Sequence, residues 1–410
     1  MNHRVVVTGM AGLCPLGLDW GTVRAKLLAK ESAIAAKTEW NGIGGLRTRL
    51  GAEVPGFERP AHFPRKKIRS MGRVSLMAAR ATELAIEAAG LPPDKIQSER
   101  TGISYGSTSG SPPALEHFAM QLGVQHTIEG VTGASFIQTM SHTCAINLAQ
   151  FFEVHGRIIP TCSACTAGSQ GIGYAYEAIK FGRQDVMLAG GAEELHIASA
   201  AVFDLLFATS TMNNAPHATP RPFDARRDGL VVGEGAATLI LESLPHAQQR
   251  GATILAEIVG FATNCEGSHV VTPSPEGMES VMRQALADAG LAPGQIDYVN
   301  AHATATEVGD IAESQATAAC FGRPVPISSL KSYMGHTLGA CGAIEAWICI
   351  QLLREGWLPP TIHLDQVDPR CAPLDYLTEV REARLEHVMS NNFAFGGINT
   401  SLIFKRWGNG

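Results

Sequence analysis

No stretch of this 410-residue chain is apolar for long enough to cross a bilayer. The best one, Ala343 to Leu353, is broken by Glu345 and falls far short of the ~20 residues a spanning helix requires. The start, MNHRVVVTGM, lacks a basic segment followed by a long apolar run, and reads as a β-strand rather than a secretory leader. There is no excess of positive charge either. Thirty-two Lys and Arg against 38 Asp and Glu leave a formal net charge of -6, which argues against a general nucleic-acid or membrane-surface binder. Low-complexity linkers are absent, so any domains must be packed together rather than strung out. The nine cysteines are odd in number and lack paired spacing, as expected of reduced thiols in a cytoplasmic protein. Cys162 and Cys165 form a CxxC, but no second pair completes a zinc site.

What is present is a large apolar complement, 45% of residues, enough for two domains or one doubled domain. Short β-branched runs (Arg4–Val7, Val186–Ala189, Ile254–Val259, Tyr298–Asn300, Val325–Ser328) alternate with Ala-rich helical stretches, the pattern of an α/β fold. AIEAAGLPPDKI at Ala85–Ile96 recurs as ALADAGLAPGQI at Ala285–Ile296, identical at six of twelve positions. Each copy reads as a helix ending at a glycine, Gly90 or Gly290, followed by a proline-bearing turn. A second parallel joins the helix after Cys165 (Gly168, Gly171, Ala175, Ala178) to the helix after His336 (Gly339, Gly342, Ala343, Ala346). Glycine inside a helix costs about 1 kcal/mol relative to alanine, so such spacing points to two buried helices in close backbone contact. The expectation is two similar halves with these helices at the centre.

Cys165 follows a strand-like run, Arg157–Ile159, and precedes the glycine-bearing helix. A thiol at a helix start meets unpaired N–H groups and the positive end of the helix dipole, which favour thiolate and can hold an oxyanion. Against this stands the ordinary fate of a free cysteine, which is to be buried packing. His302 and His336 lie at strand-to-loop exits, where α/β folds place their chemistry, although a lone histidine there is more often structural. Lys331 and Glu345 flank His336 and could form a buried pair, or be a surface lysine and a helix acid. The segment MSNNFAFGGINTSLIF reads as strand, glycine turn and strand: a simple hairpin, or a loop whose Phe395 N–H faces the nucleophile.

Together these segments resemble the elongating β-ketoacyl-ACP synthases I and II of the thiolase superfamily, over essentially the whole chain. The resemblance rests on VTGMAGLCPLG, RPFDARRDGLVVGEGA, SACTAG, YVNAHATAT, LKSYMGHTLGACG and NNFAFGGIN, in that order. It implies a five-layered αβαβα thiolase fold of two halves, residues 1–250 carrying the nucleophile and 251–410 carrying the histidines. Cys165 would be acylated. His302 and His336 would assist decarboxylation of malonyl-ACP and stabilise the enolate. The Phe395 and Cys165 amides would form the oxyanion hole, Lys331 held by Glu345 would organise the site, and Thr304 and Thr306 would contact the pantetheine arm. No metal or redox cofactor is implied.

The resemblance also implies an acyl carrier protein as partner, docked on the basic stretch Pro64–Arg73 through Lys66, Lys67 and Arg69, where a charge run alone would read as a solvated face. It implies a dimer, formed with a second copy or with a chain-length-factor-like subunit, in fatty-acid or aryl polyene biosynthesis. Three positions depart from the family pattern: Ala303 and Ala394 stand where glycine is usual, and Ile398 where threonine is usual. They bear on the gating loop rather than on the catalytic set. Two rival readings are a thiolase acting on CoA thioesters and a non-catalytic chain-length-factor-like subunit. The first lacks its C-terminal Cys-Gly-Gly motif, and the second would have lost Cys165.

Overall fold

The computed structural model describes residues 2–408. In the first half, strands β1 (Val5–Leu13), β2 (Thr101–Gly106), β3 (Ile158–Thr161), β4 (Val186–Glu193) and β5 (Gly235–Ser243) stand in the order β1-β5-β4-β2-β3. The second half supplies β6 (Ala256–Cys265), β7 (Tyr298–Asn300), β8 (Pro326–Ser328), β9 (Asp375–Tyr376), β10 (His387–Ala394) and β11 (Ile398–Arg406). Their order is β6-β11-β10-β7-β8, with β9 added at the outer edge. The two sets meet where Val5, Val6 and Val7 pair antiparallel with Ile258, Glu257 and Ala256.

Leaving β9 aside, both halves read first, fifth, fourth, second, third strand outward from this seam. The strand directions match as well. β2, β3 and β4 are mutually parallel with β5 antiparallel to β4, and β7, β8 and β10 are parallel with β11 antiparallel to β10. Every residue of β4 is buried, which is why VMLAGGAE reads as a continuous run of small and apolar residues rather than an alternating one.

Helices fill three layers around these strands. The outer layers are α1 (Arg73–Ala89) with α2 (Thr143–Phe152) on the first half, and α5 (Pro275–Ala289) with α6 (Glu307–Phe321) on the second. Between the halves lie α3 (Ala167–Lys180) and α7 (Cys341–Glu355), packed on each other and on strands of both sides. A further helix, α4 (Ile197–Leu205), carries Phe203. Three apolar clusters follow this layering. One holds Ala81 and Leu148, one Ile172, Ala343 and Trp347, and one Val281 and Ala316. The result is the expected five-layered αβαβα arrangement built from two similar halves.

The repeat seen in the sequence has a structural counterpart. Helices α1 and α5 each end at a left-handed glycine, Gly90 (φ 57°) and Gly290 (φ 65°), whose N–H closes the last turn. The small residues of the central helices also have a use. A Cβ on Gly168 would stand 2.8 Å from the Gly339 carbonyl oxygen, and one on Gly342 2.7 Å from the Ser169 nitrogen. One detail differs from expectation. Gly339 is not in α7 but in a 3-10 turn, Leu338–Ala340, that precedes it. No helix among the described residues is long and apolar enough to cross a membrane.

Candidate active site

The chain leaves β3, makes a 3-10 turn at Ala164–Thr166 and enters α3, so Cys165 sits just ahead of the helix rather than in its first turn. Ala164 is held at φ 49°, and Leu338, in the matching turn before α7, at φ 48°. Left-handed backbone at a residue with a side chain is strained, and such strain gathers where function fixes the geometry. Sequence position predicts a thiolate at Cys165. The structure corrects this: the residue is buried, and burial pushes its thiol up to about 12. The charge of Lys331 and the backbone N–H groups of Cys165 and Phe395 act in the opposite direction without cancelling the loss of water. At neutral pH Cys165 rests as a thiol.

His336 Nε2 lies 2.9 Å from Cys165 Sγ. The position of His336 is set by its backbone, whose N–H donates to Val231 O at 2.7 Å and whose carbonyl accepts from Gly233 N at 2.9 Å. His302 follows β7, and its ring stands perpendicular to that of His336 with centroids 5.1 Å apart. Potential ligating atoms of Cys165, His302 and His336 all lie within 4.8 Å of one another. Burial holds both imidazoles well below the usual histidine range, and the nearby charge of Lys331 adds to the effect. Both are therefore neutral at physiological pH.

Lys331 and Glu345 do form a buried pair, Nζ to Oε1 at 2.5 Å, with each side chain 2% exposed. Burial works against the lysine charge, but Glu345 more than restores it, so Lys331 is held above its ordinary range. Asn392 Nδ2 donates to the other oxygen of Glu345 at 2.7 Å. Neither member of the pair lines the cavity. The charge of Lys331 acts on the histidines through its field.

In front of the three residues lies a cavity of about 250 Å³. Its wall includes Thr304 and Thr306, whose hydroxyl oxygens are 3.1 Å apart, together with Phe203, Met278, Phe393 and Phe395. Phe395 opens a three-residue turn joining β10 to β11, closed by the Ala394–Ile398 pair. Its ring packs 5.2 Å from that of Phe203. The turn is also tied to the 266–273 loop, with Gly396 N donating to Val270 O and Glu266 N to Gly397 O. Ala394 lies in extended strand, where a methyl group costs the backbone nothing.

The basic residues fall elsewhere. Lys66, Lys67 and Arg69 lie in irregular turns, exposed, and none lines the cavity. Lys67 is already engaged, its Nζ 2.8 Å from Glu153 Oε1 and donating to Phe151 O. Sequence reading missed two buried acids. Glu313 accepts from the backbone N–H of His302 at 2.8 Å and of Ala303 at 2.7 Å, and burial pushes it up to about 8. Glu193 accepts from Thr108 N at 2.7 Å and from Gly339 N at 3.1 Å, tying the two halves together. An acid on the Ala-rich face of DIAESQ was the one available sign of the first. The 266–273 loop, which supplies His269 and Val270 to the cavity, carried no such sign.

Comparison with known proteins agrees with this geometry. Residues 2–247 match the N-terminal domain of β-ketoacyl synthases and residues 255–365 the C-terminal domain. The chain is 38% identical to 3-oxoacyl-[acyl-carrier-protein] synthase 1 of Haemophilus influenzae, covering 99% of both chains. It is 38% identical to nodulation protein E of Rhizobium meliloti, over 99% of this chain and 100% of that one. Among solved structures it superposes on a β-ketoacyl synthase from Burkholderia phymatum with a TM-score of 0.97 and 56% identity, covering 99% of this chain and 100% of that one. The ishigamide ketosynthase/chain length factor gives a TM-score of 0.91 at 31% identity, with full coverage of both. With its two domain matches, its full-length relatives and its thiolase-type layering, this chain belongs to the β-ketoacyl synthase family.

Proposed function

We propose that the protein is a β-ketoacyl-ACP synthase that extends an acyl chain by decarboxylative Claisen condensation. The observation that carries this reading is the 2.9 Å approach of His336 Nε2 to Cys165 Sγ at the floor of a largely apolar cavity, with His302 beside them. Cys165 Sγ attacks the carbonyl carbon of an acyl-ACP thioester, and the C–S bond to the pantetheine arm breaks. The thiol proton leaves with the departing pantetheine sulfur, with His336 as its nearest relay. The Cys165 and Phe395 N–H groups stabilise the tetrahedral oxyanion.

Malonyl-ACP then enters, with Thr304 and Thr306 against its pantetheine arm. Its carboxylate leaves as CO₂, and negative charge moves onto the thioester oxygen. Neutral imidazoles suit this step, because each keeps an N–H to donate without presenting a full charge in a dry site. The enolate carbon attacks the acyl-Cys165 carbonyl, the 3-oxoacyl-ACP departs, and the Cys165 thiolate regains a proton from solvent. Burial keeps the imidazoles neutral, and the charge of Lys331, paired with Glu345, adds to the effect. Lys66, Lys67 and Arg69 are proposed to meet the acidic carrier protein.

A dimer fits this role, formed with a second copy or with a chain-length-factor-like subunit. β3 ends the sheet with Ile158 40% exposed, and Leu115, Met120 and Phe136 are exposed as well. All nine cysteines are unpaired, in keeping with a cytoplasmic enzyme of fatty-acid or aryl polyene synthesis. The test is to incubate the protein, alone and beside a candidate partner subunit, with acyl-ACP and malonyl-ACP. Formation of 3-oxoacyl-ACP with release of CO₂, abolished by Cys165→Ala, is expected. A Cys165→Ala variant that still condenses would overturn the reading.

A further inference from the structure

We propose that Cys165, His302 and His336 also form an inhibitory site for a soft divalent cation such as Zn²⁺, open only while Cys165 is unacylated. The proposal rests on the catalytic reading above for its consequence, inhibition, but on geometry alone for the site. Zinc binds thiolate sulfur at about 2.3 Å and imidazole nitrogen at about 2.0 Å, which sets ligand atoms roughly 3.3–3.5 Å apart in a tetrahedron. Here Cys165 Sγ and His336 Nε2 are 2.9 Å apart, and no pair among the three donors exceeds 4.8 Å. Side-chain adjustments of less than about an ångström per ligand reach the required spacing. All three residues line the cavity, which has room for a water molecule as the fourth ligand.

The donor set also has the right chemistry. One sulfur and two imidazoles select zinc or copper over magnesium or calcium, which take oxygen ligands. On binding, the S–H bond of Cys165 breaks, its proton passes to solvent, and the sulfur lone pair is shared with the metal. There is no change of oxidation state. The adjacent Lys331 charge opposes a cation here, and Glu345, in direct contact with it, offsets part of that opposition.

The surroundings say what kind of site this is. Histidines that hold a resident metal nearly always donate their other ring N–H to a carbonyl or carboxylate. Nδ1 of His302 and of His336 are both buried without a hydrogen-bond partner among the described residues. That fits a site of moderate affinity that a chelator can strip, rather than a structural or catalytic metal. Acylation converts the sulfur to a thioester and removes the key ligand, so substrate and metal exclude each other.

The experiment uses the full-length protein, freed of metal by chelation, with ZnCl₂ and CoCl₂ as probes. Calorimetry should show one Zn²⁺ per chain, and Co²⁺ should give the sulfur-to-cobalt absorption of a thiolate complex. Both signals should disappear after Cys165 is acylated from acyl-ACP, and EDTA should restore condensation. Cys165→Ala and His302→Ala should each weaken Zn²⁺ by more than about tenfold, the low end of what even an indirect partner of a metal contributes. Thermal melts of the variants exclude misfolding as the cause. Absence of the cobalt–sulfur band, or Zn²⁺ binding that survives acylation, overturns the proposal while leaving the condensation reading intact. Metal binding without any condensation does the reverse.

Discussion

His336 Nε2 stands 2.9 Å from Cys165 Sγ although 171 residues separate them in the chain. Cys165 lies in the short turn that precedes one central helix and His336 just ahead of the turn that precedes the other, and the helices touch where glycine permits it. The pairing is thus a product of the doubled architecture. One half supplies the sulfur, the other the imidazole, and helix packing fixes the gap between them.

The two half-reactions should come apart under mutation. Cys165→Ala is expected to lose acyl transfer but to retain some decarboxylation of malonyl-ACP. His302→Ala should keep acylation of Cys165 and lose decarboxylation, by roughly 2.7–4 kcal/mol in the barrier, the usual cost of one oxyanion donor. Acyl-enzyme mass spectrometry and CO₂ release measure the two separately. A His302→Ala variant that condenses at the wild-type rate makes that residue structural.

Packing should matter as much as chemistry. Gly168→Ala places a methyl group 2.8 Å from the Gly339 carbonyl oxygen, between two buried backbones that have nowhere to go. The expected cost is about 1–3 kcal/mol of stability. Activity should fall further than the melting temperature implies, because Cys165 and His336 are both displaced. Chemical denaturation and condensation assays, run on the same preparation, test this. Wild-type activity in a destabilised protein would refute the link.

The sequence made this centre legible because its signals were local. The repeated helix ends at Gly90 and Gly290 and the small-residue faces of the central helices exposed the doubling. The order of the motifs then pointed to Cys165, His302, Lys331 and His336. What stayed hidden depended on three dimensions. The thiol state of Cys165 is decided by burial, which outweighs the N–H groups that position alone suggests. Glu193 accepts backbone N–H groups from segments far away in the chain, and nothing in its immediate neighbours announces it, while Glu313, which accepts those of His302 and Ala303, had only its place on an Ala-rich helix face as a sign. Lys67 looked free until Glu153, on a different element, proved to be its partner.

Lys331 and Glu345 should behave as a unit. Removing one, as in Lys331→Met, strands a buried charge at a cost of about 3–5 kcal/mol. Replacing both, with Lys331→Met and Glu345→Leu together, should recover part of that loss. Activity should stay low in both, since the field of Lys331 on the histidines is gone. A double-mutant cycle read by urea denaturation decides the point. Additive effects would mean that the pair is not coupled.

Acid should destabilise the protein through the same histidines. Their folded-state pKa values lie well below 6.5, so below that pH the unfolded chain binds protons that the folded chain refuses. Stability from this source is complete above about pH 6.5 and falls as pH drops toward the folded-state values, by up to roughly 1.4 kcal/mol per pH unit for each histidine. His302→Gln should flatten the fall in melting temperature between about pH 6.5 and 5. An unchanged slope would show that His302 is protonated in the folded state.

Carrier docking gives the last test, because the three basic residues are not equivalent. Lys66 and Arg69 are exposed, whereas the Lys67 ammonium is held by Glu153 and by the carbonyl of Phe151. Lys66→Glu and Arg69→Glu should each raise KM for acyl-ACP and make it less sensitive to salt, with kcat and the use of acyl-pantetheine surrogates little changed. Lys67→Glu should instead set two carboxylates against each other and lower the melting temperature. Its effect on KM should be the smallest of the three, because Glu153 already neutralises much of the charge a carrier would meet. Equal KM effects at all three positions would mean that the carrier displaces Glu153 on docking, and no effect at any of them would place the docking surface elsewhere.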